Sequence, residues 1–147
     1  MKDALVEIFE RDINKLTVEI NKYRDESLLW AIAPGISNSA GNLTLHLVGN
    51  LNHFIGAVLG KSGYIRERDK EFSLKDVPLV VLTEMIEKMK LTVVNTLSAM
   101  TEEDMELDFP EVKHDKTPQT GFMLLHLLAH LNYHLGQVNY HRRLLEK

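Results

Sequence analysis

Apolar residues recur along this chain at helical spacing in four long segments. Leu5, Phe9, Ile13, Leu16, Ile20 and Tyr23 follow one another at steps of three and four, with charged residues in the gaps. That spacing predicts an amphipathic helix from about Lys2 to Tyr23 with one buried stripe. From Ser27 to Ala40 the pattern breaks. Pro34-Gly35 is a turn signal, and Ser37, Asn38 and Ser39 offer side-chain oxygens to cap the next helix. Trp30, the single tryptophan, is expected to pack over one end of the domain. A second helix is predicted from about Ala40 to Leu59 and a third from about Val77 to Met100, with Asp76 as its cap. A fourth runs from about Pro118 to Leu145, with Thr117-Pro118 at its start. The third helix is expected to bury Leu82, Met85, Met89, Val93, Thr96 or Leu97, and Met100, and its methionines read as gap-filling core. No strand-like alternation, internal repeat or low-complexity tract intervenes. The pattern predicts an all-α fold, a four-helix bundle forming one domain over residues 1–147. The connection from Lys61 to Val77 exceeds the ~2–8 residues usual between neighbouring helices. It can therefore cross from one end of the bundle to the other and set helices two and three parallel.

Two of the helices carry a polar stripe where a core helix should be apolar. On the fourth, His126, His130, His134 and His141 hold four of the seven histidines of the chain. At roughly 100° per residue they fall within about 40° of His130, and Gln137 lies within the same arc. On the second, Asn42, His46, Asn50 and His53 form an answering stripe bordered by Leu43, Leu47 and Phe54. There is no charged residue between Gly41 and Gly60, so this helix is expected to be the most buried and its polar stripe to face inward. Gly49, Gly56 and Gly60 each cost about 1 kcal/mol against Ala in a helix, which calls for a packing or access reason. Close approach of a neighbouring helix and an open groove beside a site both satisfy it. Gly136, beside His134, similarly suggests close approach of another group.

Composition narrows the function. With 44% apolar and 26% charged residues the chain is an ordinary globular sequence. A net charge of −4 without a basic tract argues against a nucleic-acid partner. No apolar run approaches the ~18 residues of a membrane span, and the charged N-terminus lacks the core of a signal peptide. The expectation is a cytoplasmic protein with a small-molecule substrate and no membrane or nucleic-acid partner. There is no cysteine, so any nucleophile must be solvent or an added thiol.

Two histidines at i and i+4, His130 and His134, can share one divalent ion, and imidazole suits zinc, nickel, copper or iron. A third ligand would come from helix two, either His46 or His53. Three histidines with an open position match a catalytic more than a structural zinc site. Asn50, His53, His126 and Gln137 are the candidates for the pocket wall or for orienting a ligand, and His141, beside Arg142-Arg143, is expected to be exposed. The alternative is a set of buried histidines, each satisfied by an amide or a carbonyl. Glu111-Val-Lys-His114 has the Glu-x-x-His spacing of di-iron bundles. It follows Pro110, occurs once, and no other helix supplies inward glutamates, so it is set aside. Neither polar stripe carries an Asp or Glu, so no catalytic residue is assigned.

The stretch Pro34-Gly-Ile-Ser-Asn-Ser-Ala-Gly-Asn-Leu-Thr-Leu-His46-Leu-Val-Gly-Asn-Leu-Asn-His-Phe-Ile-Gly resembles a helix-two signature of the DinB/YfiT-like proteins, the DinB superfamily. Ala129-His130-Leu-Asn-Tyr-His134-Leu-Gly-Gln137 resembles their His-x-x-x-His followed by Gly-Gln. With the helix spacing, the resemblance covers essentially the whole chain. It implies an up-down-down-up bundle. It also implies a mononuclear three-histidine site of His46, His130 and His134 with nickel or zinc, favouring His46 over His53, and a homodimer. Some relatives are transferases or isomerases that use a low-molecular-weight thiol, bacillithiol or mycothiol, at the metal. A metal-dependent S-transferase or isomerase is thus the leading expectation. A non-catalytic metal-binding or structural bundle, or a metal-assisted hydrolase, is the alternative.

Overall fold

The structure is a computed structural model that describes residues 1–111 and 115–146. Among these residues the secondary structure is helical, with no strand and one isolated antiparallel bridge between Asp108 and Gln119. The helices are α1 (Lys2–Asn21), α2 (Ala40–Leu51), a short α3 (Arg68–Ser73), α4 (Leu79–Ala99) and α5 (Thr120–Leu145). Single turns of 3₁₀ helix cover Glu26–Trp30 and Glu103–Glu106. Each long helix forms where its apolar spacing predicts. In α1, Leu5, Phe9, Ile13, Leu16 and Ile20 are buried, and Tyr23 closes the stripe. In α4 the core positions are Leu82, Ile86, Met89, Val93 and Leu97, with Met85 packed at their edge.

The helix ends depend on more distant contacts. Ser39 caps α2, its Oγ accepting from the Asn42 N–H at 3.1 Å. Asp76 does not cap α4. It takes a left-handed conformation at φ 57°, and the first free amide of α4, Leu79 N–H, donates to the carboxylate of Glu26, 53 residues earlier in the chain. α5 begins at Thr120 rather than at Pro118. Pro118 and Thr120 instead pair through backbone hydrogen bonds with Phe109 and Leu107, both 2.8 Å. The predicted turn at Pro34-Gly35 is present, with Gly35 at φ 88°, a conformation that favours glycine.

α1 packs against α4 and α5, and α2 packs against the same two helices, while α1 and α2 barely touch. Every residue of α2 is buried, which explains its lack of charge. Beyond Leu51 it continues as π-helix through Asn52–Leu59, closed by a Gly60 N–H to Ile55 carbonyl bond of 2.9 Å. Gly56 and Gly60 let this segment lie against Thr92 and Thr96 of α4. Gly41, at the start of α2, gives its space to the Trp30 ring, which is buried there. No helix among the described residues is long and apolar enough to cross a membrane.

Candidate metal centre

His46 on α2 and His130 and His134 on α5 meet between the two helices. Each offers one ring nitrogen, and the three atoms lie within 4.8 Å of one another. His130 Nε2 is 3.1 Å from both His46 Nε2 and His134 Nε2. The rings stand nearly edge-on to each other, at 80°, 88° and 89°. His46 is buried, and His130 and His134 are half-buried.

The outer nitrogens decide what the inner ones can do. His46 Nδ1 is 3.0 Å from Glu71 Oε1, and His134 Nδ1 is 2.6 Å from Gln137 Oε1. Both partners accept, so both Nδ1 atoms carry the proton, and the neutral ring presents a lone pair at Nε2. His130 Nε2 can donate to one of these at most. A proton therefore satisfies one edge of the triangle and a cation satisfies all three corners. Tetrahedral zinc with bonds of about 2.0–2.1 Å sets its ligand nitrogens roughly 3.3 Å apart, close to the 3.1 Å seen twice here. The residues fit a divalent ion of the imidazole-preferring kind.

Glu71 is the residue that sequence reasoning missed. It stands in the charged run of the Lys61–Val77 connection, on the short helix α3, and is buried. Arg66 clamps it through two bonds of 2.8 Å. Burial by itself would raise the Glu71 carboxyl, but the hydrogen bonds from Arg66 and His46 outweigh it and hold it below the usual carboxylate range. With both oxygens engaged, Glu71 orients His46 rather than serving as a free base. Two residues of α2 admit it. Asn42 Nδ2 donates to the carbonyls of Glu71 and Leu74 at 3.0 and 2.8 Å and anchors the connection. Gly49 lies under the carboxylate, where a methyl group would overlap it. Asn42 and Gly49 were the available signals, since a buried amide and a helical glycine both announce a close neighbour. Phe72 completes this wall, 5.0 Å from the His46 ring. On the other side, burial pushes the His134 imidazole below its ordinary value, against the opposing pull of the Gln137 bond.

The remaining candidates separate. Gln137 touches a ring of the cluster. Asn50 is buried next to it along α2, and its Oδ1 has no hydrogen-bond partner among the described residues. His53 turns to Glu111, 3.1 Å away, and stays outside the cluster. His126 is exposed, beside a cavity of about 460 Å³ lined by Pro118, Phe122 and Met123. His114, the other half of the Glu-x-x-His spacing, lies outside the described residues.

Two expectations are corrected. His141 is buried, not exposed: its Nδ1 meets the Tyr23 hydroxyl at 2.6 Å and its Nε2 donates to the Ala31 carbonyl at 2.8 Å. The neighbouring arginines point elsewhere, Arg142 to Glu19 and Arg143 to Asn139 and the Tyr140 ring. Gly136 does not admit a neighbour, because a methyl group built there would meet nothing within 4 Å.

A family model described as "Protein of unknown function (DUF1572)" covers residues 3–147. No curated protein matches the chain.

Proposed function

The chain belongs to the DUF1572 family, and from that premise we propose that it is a divalent-metal-binding protein of the DinB/YfiT-like kind. Its ligands are His46, His130 and His134, with nickel or zinc as the metal. The observation that carries this reading is the pinning of two outer nitrogens, His46 Nδ1 by Glu71 and His134 Nδ1 by Gln137, which turns their lone pairs onto one point with His130. Histidine ligands characteristically have such an outer partner.

The fold reading that goes with it is an up-down-down-up four-helix bundle in one domain. Pairings along the helices support it. Lys2 reaches Ser98 and Asn21 reaches Thr83, so α1 and α4 run in opposite directions. Asp12 meets Asn132 and Tyr23 meets His141, so α1 and α5 run together. Gly56 and Gly60 lie against Thr92 and Thr96, so α2 and α4 also run together.

A bound divalent ion supplies one kind of chemistry here, the lowering of the pKa of a coordinating thiol or water. The chain's own residues fix what surrounds it. Glu71 and Gln137 keep two Nδ1 atoms protonated, Arg66 keeps Glu71 ionised, and Phe72 shields His46 from water. The chain lacks cysteine and its site carboxylate is fully engaged. Both facts favour a reaction whose nucleophile arrives as a low-molecular-weight thiol over one that needs a protein base. The leading reading is a thiol S-transferase or isomerase acting on a small electrophile in the cytoplasm, where thiols are kept reduced. Metal analysis of protein purified without a histidine tag tests the site. About one equivalent of metal per chain, absent from His130→Ala, is expected for a three-histidine site. A wild-type protein without metal, whose melting is unchanged by added nickel or zinc, overturns the reading. Turnover of electrophiles with and without bacillithiol or mycothiol tests the reaction. A hydrolase or a simple metal binder shows no thiol dependence.

A further inference from the structure

The polar stripe of α2 is satisfied at every position but one. Asn42 Oδ1 accepts from Ser39 Oγ at 2.8 Å and from Lys75 Nζ at 2.6 Å, and its Nδ2 holds two carbonyls of the Lys61–Val77 connection. His46 has Glu71 behind it and His130 in front. His53 is turned to Glu111. Asn50 stands between them, only 6% exposed, and its Oδ1 has no hydrogen-bond partner among the described residues. A buried amide oxygen in this state has given up its hydration for nothing, so native folds keep few of them and each calls for a reason. Trp30 Nε1 and Thr17 Oγ1 also lack partners, but Trp30 packs on Gly41, more than a turn before His46, and Thr17 is on α1, which barely touches α2.

The place of Asn50 in the helix says what its amide waits for. α2 is regular α-helix as far as Leu51. Asn50 therefore follows His46 by one turn on the same face, with Cβ atoms about 5–6 Å apart. Helical side chains lean toward the N-terminus of their helix, so the Asn50 amide is laid back over the turn that carries His46. That turn presents His46 Nε2 to His130 and His134. His53 and Phe54, the residues that α-helical spacing would stack on Asn50, lie instead in the widened π-helical turn. His53 goes to Glu111 there, and Phe54 packs near Phe109. Such widened turns are frequent at functional sites. No side chain of α2 closes off the Asn50 oxygen, and the group nearest to it along the helix is the three-histidine cluster.

We propose that Asn50 is a positioning residue for the ligand that takes the open place beside His46, His130 and His134, its Oδ1 accepting a hydrogen bond from that ligand. The inference rests on the metal reading given above and adds a selectivity to it. A ligand with an N–H or O–H next to its coordinating atom satisfies the oxygen. One with only carbon there leaves it buried and unmet, and an unmet buried polar group is the strongest discrimination a site of this kind has. Among thiols, the class selected is one with an amino or hydroxyl group on the carbon next to the C–S carbon, over a plain alkyl thiol.

The full chain loaded with cobalt reports thiol binding through a thiolate-to-metal absorption band, since the chain has no cysteine of its own. The probes are 2-aminoethanethiol and ethanethiol. Wild type is expected to prefer the amino thiol. Chelation by the amine gives some preference by itself, so the deciding quantity is how the ratio of the two affinities changes on substitution. Asn50→Leu keeps nearly the same shape, and its cobalt content should be that of the wild type. Its ratio should fall about tenfold, the worth of one hydrogen bond to a charged group. Asn50→Asp retains an acceptor oxygen and should retain the preference. Asn50→Ala takes the place of the Leu variant should that one not fold. Without metal, Asn50→Leu should melt no lower than wild type, because only an unmet oxygen is removed. An unchanged ratio in Asn50→Leu, as for an amide satisfied by a buried water, overturns the role of Asn50 and leaves the metal reading standing. Lower melting of the metal-free variant overturns it too, by showing that the amide holds the fold. A wild type that takes up no cobalt overturns the metal reading and this inference with it.

Discussion

His134 and His141 sit two turns apart on α5, within a narrow arc of one face, yet they are held in opposite ways. His141 is satisfied on both ring nitrogens by the fold itself, Tyr23 on one side and the Ala31 carbonyl on the other. His134 is satisfied on one side, by Gln137, and turns its second nitrogen toward two other imidazoles. A histidine that finishes its hydrogen bonding within the protein is a scaffold residue. One whose outer nitrogen is fixed while the inner nitrogen meets others like it is prepared for a ligand. His46 follows the second rule, with Glu71 in the place of Gln137. The same side chain is thus closed off or left open by what stands behind it.

The largest test of this contrast removes one corner of the triangle. His130→Ala is expected to lose the metal and with it the ligand-linked stabilisation, about 2.7 kcal/mol at an ion concentration 100 times the dissociation constant. The readout is the rise in melting temperature on adding nickel or zinc, present in the wild type and absent in the variant. If both proteins respond alike, the contrast fails. Next in size is the scaffold histidine. His141→Ala removes the partner of the Ala31 carbonyl and leaves the buried Tyr23 hydroxyl only its 3.5 Å bond to the Val138 carbonyl, and is expected to cost about 1–3 kcal/mol by denaturant unfolding. Its metal content should be that of the wild type, and loss of metal would mean that His141 belongs to the site. Glu71→Gln sharpens the role of the outer partner. It keeps the shape of the side chain and removes the charge, and metal affinity should fall about 10–100-fold. Gly49→Ala should reproduce part of this fall by displacing the carboxylate, although Ala is the better helix former by about 1 kcal/mol. Equal affinities in all three proteins by titration calorimetry would mean that Glu71 does not orient His46.

The smallest effect concerns a purely scaffold charge. Asp12 is buried on the α1–α5 seam, where burial raises its carboxyl but bonds from Arg11, Asn132 and Lys15 outweigh this and lower it. Its folded value lies below the unfolded value of about 3.9. Asp12 therefore stabilises the folded chain above that pH, and the contribution is lost as pH falls through the lowered folded value. Asp12→Asn should flatten the acid limb of stability against pH without changing metal content.

The helices and the ligand spacing were legible because both are periodic. Steps of three and four place Leu5, Phe9 and Ile13 on one face, and the same rule places His130 and His134 together. The uncharged α2 announced its own burial. The start of α5 was misplaced because a bridge to Asp108 holds Gln119 outside the helix. The cap of α4 was misplaced because Glu26, distant in sequence, supplies it. His141 was assigned to the surface on the strength of its arginine neighbours, whereas Tyr23 from the end of α1 buries it. Glu71 was invisible for a related reason, since in a charged connection nothing local distinguishes the one carboxylate that turns inward.

The sequence by itself determined the all-helical pattern, the most buried helix and a histidine pair able to share an ion, because each follows from short-range periodicity. Only the tertiary structure decided which histidines are held open and which are closed. A ring nitrogen's state depends on a partner that chain folding brings from elsewhere: Glu71 to His46 across Gly49, and Tyr23 to His141 across the α1–α5 seam. Those contacts join residues far apart in sequence, where no local repeat records them.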